Sequence, residues 1–207
     1  EYFGGAEGYL ALLARHLERL KSSAEYFGFP YDEGAARSAL ESAVAARDEE
    51  RLRVRLLLAE DGRVTVTAVP QPAQPAGTIM RYVVSPTRLN SADALLYHKT
   101  TRRELYDGEW QKFHDEVGAD EVIYLNERGE LAEGSRTTIF LERDGRLLTP
   151  PLTAGLLPGT LRAELLASGR AVEAPLTLDD LEKGGVYLGN SVRGLVPAAP
   201  LIHPGER

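Results

Sequence analysis

The chain has 207 residues, 43% hydrophobic and 27% charged, enough to bury a core in one large domain or two small ones. Its net charge of −7 and the lack of a long basic run exclude an obvious nucleic-acid or anionic-membrane partner, so any anion must be held by a local pocket of donors. There is no cysteine, which excludes disulfides, thiolate metal sites and cysteine nucleophiles and fits a reducing, cytoplasmic compartment. No apolar run approaches the roughly 20 residues needed to span a bilayer, and no signal peptide is visible. The chain opens on Glu1 without a methionine, as a piece of a longer protein would.

Leu10, Leu13, Leu17 and Leu20 recur at helical spacing and predict an amphipathic helix over 8–26, which Gly28 and Pro30 stop. Asp32 is a plausible N-cap for a second helix running to about Ala46. The period then changes to alternation at Leu52, Val54, Leu56 and Leu58. It resumes at Val64, Val66 and Ala68 after the turn Glu60-Asp61-Gly62, which predicts a hairpin. PQPAQPAG (70–77) continues neither helix nor central strand, and TIMRYVVS (78–85) reads as strand. The stretch 91–116 is mostly helical in pattern. Residues 121–125 read as strand, 126–129 as turn and 131–141 as strand; Arg143-Asp144-Gly145 turns the chain into LLTP. LPGTLRAELLASG (157–169) is a loop running into a helix, and VYLGNSVRGLVPAAPL (186–201) is strand, turn, strand. No internal repeat is present. Helices lying early and in the middle, between hairpins, predict an α+β fold in two subdomains, 1–85 and 86–207.

Four places carry candidate chemistry. In LLYHKTTRRELYD (95–107), Lys99 follows three large apolar residues. It is either a solvated surface charge or a desolvated amine, which loses its proton more easily and becomes a nucleophile. In EGSRTTIF (133–140), Glu133 is either an exposed charge at a strand start or a carboxylate able to hold a pyridinium proton. Gly134 and Ser135 beside it are small enough for close backbone approach. In LLPGTLR (156–162), Gly159 and Thr160 fall where a loop becomes a helix, an ordinary helix start or a phosphate site. In HLERL (16–20), Arg19 is a snorkelling side chain or an anion ligand. Together, a lysine, a carboxylate, a helix start and an arginine are the parts that a pyridoxal phosphate site needs.

On these motifs the chain resembles, over nearly its whole length, the fold-type IV pyridoxal phosphate enzymes. That group includes branched-chain and D-amino-acid aminotransferases and 4-amino-4-deoxychorismate lyase. HLERLKSSAEYFGFP resembles the early His-x-x-Arg-Leu helix, which implies Arg19 at the cofactor phosphate. HKTTRRELYD resembles the segment with the Schiff-base lysine, implying Lys99 as catalytic residue. LAEGSRTTIF resembles the motif whose glutamate pairs with the pyridine nitrogen, implying Glu133, which follows Lys99 by 34 residues. LLPGTLR resembles the second phosphate loop. It implies Leu157 over the ring face, backbone donors at Thr160 and Leu161, and Gly159 within the same cofactor-binding loop. GNSVRGLVP (189–197) is similar to the lyase branch, as is HKTT; it implies Ser191 near the phosphate and Arg193 at a substrate carboxylate. Thr138 stands where the family usually has asparagine, and EYFGGAEGY offers no counterpart of the threonine-containing first strand of lyases.

The resemblance implies a small N-terminal α/β subdomain, a barrel-like β subdomain with helices, the cofactor between them, no metal, and a homodimer. The implied reaction is conversion of 4-amino-4-deoxychorismate to 4-aminobenzoate and pyruvate, a step of folate biosynthesis. Aminodeoxychorismate synthase is the expected fused or associated partner. A class IV aminotransferase using the same Lys99 is the alternative; a non-catalytic domain that binds phosphate ligands or stabilises a partner is a third.

Overall fold

A computed structural model of the chain describes residues 2–3, 9–45 and 47–201, and it divides into two units, Glu1–Pro75 and Ala76–Arg207. In the first, β1 (Tyr2–Phe3), β2 (Tyr9–Leu10), β3 (Arg51–Leu58) and β4 (Val64–Pro70) form a sheet in the order β2-β1-β3-β4. The expected hairpin is present, with Leu58 opposite Val64 and Gly62 supplying the positive φ of 84° in its turn. The sheet's apolar face packs on α1 (Leu13–Phe27) and α2 (Glu33–Ala45) through Leu17, Ala36 and Leu40. Asp32 caps α2, its Oδ1 accepting the Ala35 N–H at 3.0 Å.

The first helix starts later than the leucine spacing predicts. Leu12 takes a left-handed φ of 55°, which no helix interior accommodates, and Tyr9–Leu10 is strand. Gly8 and Ala46, the expected outer ends of the two helices, lie outside the described residues. So do Glu1 and residues 4–8, on which most of the first-strand reading falls. β1 nevertheless gives the chain a short opening strand, paired to both β2 and β3.

The second unit is built on an eight-stranded sheet. Its strands are β5 (Met80–Leu89), β6 (Glu121–Asn126), β7 (Leu131–Gly134), β8 (Thr138–Arg143), β9 (Arg146–Thr149), β10 (Ala171–Glu173), β11 (Gly185–Asn190) and β12 (Gly194–Pro200). The order is β10-β9-β8-β11-β12-β5-β6-β7. Its hairpins are antiparallel, while β12/β5, β5/β6 and β9/β10 run parallel. All six residues of β6 are buried, and its apolar run reads as a strand covered on both faces. Helix α3 (Glu104–Val117) connects β5 to β6, and α4 (Thr160–Ala167) packs by Leu165 against Phe140.

Chain connectivity forces this sheet to curl. β7 and β8 are joined by three residues, yet β8 is third in the order and β7 eighth. Five strand spacings in a flat sheet span about 24 Å, whereas the link from Gly134 to Thr138 reaches at most about 15 Å. The result is the curled half-barrel that the family resemblance implies. The core inside it includes Ile123, Leu125, Leu131, Ile139, Leu141, Leu188 and Val196.

Two expected strands are corrected. The strand at 78–85 continues to Leu89 through a bulge at Ser85–Thr87, where Pro86 cannot donate to the ladder. The Ser85 and Thr87 hydroxyls donate instead to Glu109 of α3, each at 2.5 Å. β5 thus runs through position 85, and the division between units falls at Pro75/Ala76. The strand at 131–141 is two strands, broken at Ser135–Thr137. Leu141→Ala removes a fully buried side chain from the core cluster and should cost about 2–5 kcal/mol, read as a lower urea midpoint for unfolding.

Candidate active site

Lys99 sits in a loop, not in the helix expected over 91–116. A 3₁₀ turn, Ala94–Tyr97, comes first; its start is capped by the Asp93 carboxylate, which accepts the Leu95 N–H at 2.9 Å. The Thr100 hydroxyl then accepts the Arg102 N–H at 3.2 Å, and this local bond, with two adjacent β-branched residues, delays α3 until Glu104. Leu95, Leu96 and Tyr97 are half-buried, and Leu96 packs against the Val83–Tyr124 core. Lys99 itself is exposed in its chain.

Glu133 is the group that burial reaches. It lies in β7, one residue before the strand's end, at 8% exposure, and takes two hydrogen bonds. The Tyr106 hydroxyl donates to Oε1 at 2.6 Å and the Leu157 N–H to Oε2 at 3.0 Å. Burial pushes its carboxyl up to about 7; the two donors and the charges of Lys99 and Arg103 act against that rise. Lys99, Glu133 and Leu157, from three separate motifs, therefore share one region.

The turn after Glu133 is held by a second buried carboxylate, Glu121. It accepts the Ser135 hydroxyl, the Thr137 hydroxyl at 2.8 Å, the Arg136 N–H at 3.2 Å and the Val122 N–H at 2.9 Å. A Cβ on Gly134 would stand 2.4 Å from Thr137 Oγ1 and 3.1 Å from the Glu121 carboxyl carbon. This glycine makes room for Thr137 and Glu121. The same turn is fastened to α3: Arg103 donates to the Ser135 carbonyl at 2.6 Å, and the Arg136 guanidinium lies 3.8 Å from the Trp110 ring centre.

Gly159 is the N-cap of α4, and a Cβ there would meet Thr138 Oγ1 at 2.9 Å, so the loop lies directly on β8. Thr160 is buried, while Leu157 and Leu161 are half-buried. Ser191 and Arg193 occupy the turn between β11 and β12. There Asn190 Oδ1 accepts the Val192 and Arg193 N–H groups, both at 3.0 Å, and its amide donates to the Arg136 carbonyl at 3.0 Å. Ser191 is half-buried and Arg193 exposed. Arg19 lies on α1 of the first unit, where burial lowers its pKa, and is not among the residues that the second unit assembles.

Three residues that organise this region were not singled out by the motifs: Tyr106, Arg103 and Glu121. Arg103 and Tyr106 stand three apart at the start of α3, a spacing that puts both on one face. Glu121 opens an apolar strand, and nothing in its sequence neighbourhood announces a buried carboxylate.

The sequence model of the family described as "Amino-transferase class IV" matches residues 2–200. A Schizosaccharomyces pombe protein named "Putative aminodeoxychorismate lyase" is 31% identical over 211 residues, covering 96% of this chain and 87% of that one. Among solved structures, a "Putative amino-acid aminotransferase" from Mesorhizobium loti is 41% identical with a TM-score of 0.88, covering 96% of this chain and 95% of that one. A "hypothetical aminotransferase" from Mycobacterium tuberculosis, in an α-ketoglutarate- and PMP-bound form, is 26% identical with a TM-score of 0.79, covering 90% and 75%.

The folded state binds the Glu133 proton more tightly, at about 7, than an ordinary carboxylate at 4.5. The resulting stabilisation is complete below the unfolded value and is lost as pH rises through about 7. Without added ligand, the melting temperature should therefore fall across this window relative to Glu133→Gln, which has no such proton. Tyr106→Phe removes a donor to the charged form, so the Glu133 midpoint should move upward in a ¹³C-carboxyl NMR titration.

Proposed function

Because the chain belongs to the amino-transferase class IV family, whose enzymes depend on pyridoxal 5'-phosphate, we propose that it is a lyase converting 4-amino-4-deoxychorismate to 4-aminobenzoate and pyruvate. The observation that carries the cofactor reading is the convergence of Lys99, Glu133 and the Leu157 loop. The residues present fit the cofactor. A buried carboxylate with near-neutral proton affinity, held by two donors, has lone pairs left for a protonated ring nitrogen. The first turn of α4 offers N–H groups and the positive end of its dipole to a phosphate, and Gly159 keeps the approach to that turn tight on β8.

When bound, the cofactor supplies a conjugated ring that accepts the electron pair left behind when a proton departs from the carbon bearing the substrate nitrogen. In this reading the Lys99 amine holds the cofactor and, once displaced by substrate, takes up that proton as general base. Glu133 keeps the ring nitrogen protonated. Thr160 and Leu161 hold the phosphate through backbone N–H groups, with Ser191 beside it, and Leu157 covers the ring face. Arg193 binds a carboxylate of the dicarboxylate substrate. Cleavage of the bond between the neighbouring ring carbon and the enolpyruvyl oxygen, the electron pair leaving with oxygen, makes the ring aromatic, and the departing enolate takes up a proton on its methylene carbon to become pyruvate. The working form is proposed to be a homodimer, with aminodeoxychorismate synthase as fused or associated partner.

One observation favours a second reading. The Mesorhizobium loti structure, 41% identical, is named as an amino-acid aminotransferase. An aminotransferase would use the same Lys99 proton removal but return the proton elsewhere and release a keto acid.

The purified protein should bind pyridoxal phosphate and turn yellow, and borohydride should fix the cofactor on Lys99, read by peptide mass. Release of 4-aminobenzoate without an amino acceptor selects the lyase; a strict requirement for a keto acid selects the aminotransferase. Lys99→Ala should abolish either activity. Arg193→Ala should raise KM by about tenfold or more, the loss expected for one charged hydrogen bond.

A further inference from the structure

The turn between β6 and β7 belongs to none of the four motifs, yet it grips two of the loops that carry them. Arg128 spends all five of its N–H donors there. Nε and Nη2 donate to Glu130 at 2.9 and 2.7 Å. Nη1 donates to the Ser91 hydroxyl and to Glu127, each at 2.7 Å, and Nη2 also donates to the Thr153 carbonyl at 2.8 Å. Ser91 begins the segment that ends in Lys99, and that segment is a closed block. The Tyr97 hydroxyl donates back to the Ser91 carbonyl at 2.8 Å, and the Glu127 carboxylate takes both the Ser91 N–H and hydroxyl. Thr153 lies four residues before Leu157, whose N–H meets Glu133. Between the two grips, Gly155 adopts a φ of +85°, and a Cβ there would stand 2.7 Å from Ser91 Cα. The loops therefore touch backbone to backbone.

We propose that Arg128 is a positioning residue that sets the spacing between the Lys99 loop and the Leu157 loop. The proposal rests on the reading of Lys99 as the residue that holds the cofactor. Magnitudes favour geometry over stability as the role of Arg128. Its side chain is 44% exposed, as is that of Glu127, and ion pairs so open to water add little to folding. What such a site does provide is direction: a rigid fork whose donors point at acceptors on three segments. Lysine keeps the charge but has three donors on one nitrogen, so it cannot make the five bonds of the fork.

The test compares wild type with Arg128→Lys and Arg128→Ala in the full chain. A matched control is Arg143→Lys, which alters the ion pair with Asp180 outside both loops. Without cofactor, amide exchange in 91–99 and 152–157 should speed up by about tenfold or more in both Arg128 variants, the scale of one lost local tie, while the rest of the chain exchanges as before. With pyridoxal phosphate bound, the pH midpoint of its absorbance should shift, and kcat should fall more than KM rises. Unchanged exchange in either segment, or an unchanged absorbance midpoint, would overturn the proposal. Failure of wild type to take up pyridoxal phosphate on Lys99 would sink the functional reading instead, and the exchange measurement separates the two.

Discussion

A buried carboxylate, Glu121, is the constraint on which the arrangement of the second unit depends. A carboxyl group out of water is tolerable only if its oxygens find partners, and four donors meet them. Three of the four come from Ser135, Arg136 and Thr137, the short link that brings the far edge of the sheet back to β8. Satisfying one buried side chain thus folds that link into a single shape. Gly134, next to Glu133, leaves the link on one side and Thr138 on the other. Arg103 of α3 and Asn190 of the β11–β12 turn take hold of its carbonyls. Groups from five separate segments are registered against one turn, and the turn is registered against one carboxylate.

Much of this was legible in the sequence, for identifiable reasons. The β3–β4 hairpin announced itself because alternation and a glycine turn act over neighbouring residues. The α2 cap did so because aspartate competes locally for backbone N–H groups. Lys99, Glu133 and the Leu157 loop could be picked out as motifs, and they do converge. What could not be read was set by partners distant along the chain. The bulge that extends β5 is stabilised by Glu109, more than twenty residues on. The break between β7 and β8 answers to Glu121. The loop around Lys99 has a helical pattern, but Thr100 and the capped turn before it leave no room for a helix. Burial, too, fell on Glu133 rather than on the lysine, because strand residues beside a closed turn are covered on both faces whereas a loop end is not.

The division of labour in this region accounts for how one scaffold suits more than one reaction. Tyr106, Glu121 and Arg103 concern the posture of Glu133 and its turn. On the β11–β12 turn, Asn190 fixes the backbone and Arg193 is left exposed. Relatives named for either activity share the scaffold at 31% and 41% identity, consistent with chemistry decided by a few exposed side chains on a common frame.

The strand order carries a consequence for how the protein is made. β5, β6 and β7 form one three-stranded piece bearing Lys99 and Glu133. β8, β9 and β10 form another, against which α4 is placed. The hydrogen-bonded ladders that join them run through β11 and β12, the last two strands of this sheet in chain order; Ala198 must find Met80 across most of the unit's length. Until then, β5 and β8 present open edges that only the end of the unit can cover, a state in which strands invite foreign pairing. Early termination of synthesis would therefore leave two adhesive half-sheets rather than a smaller enzyme.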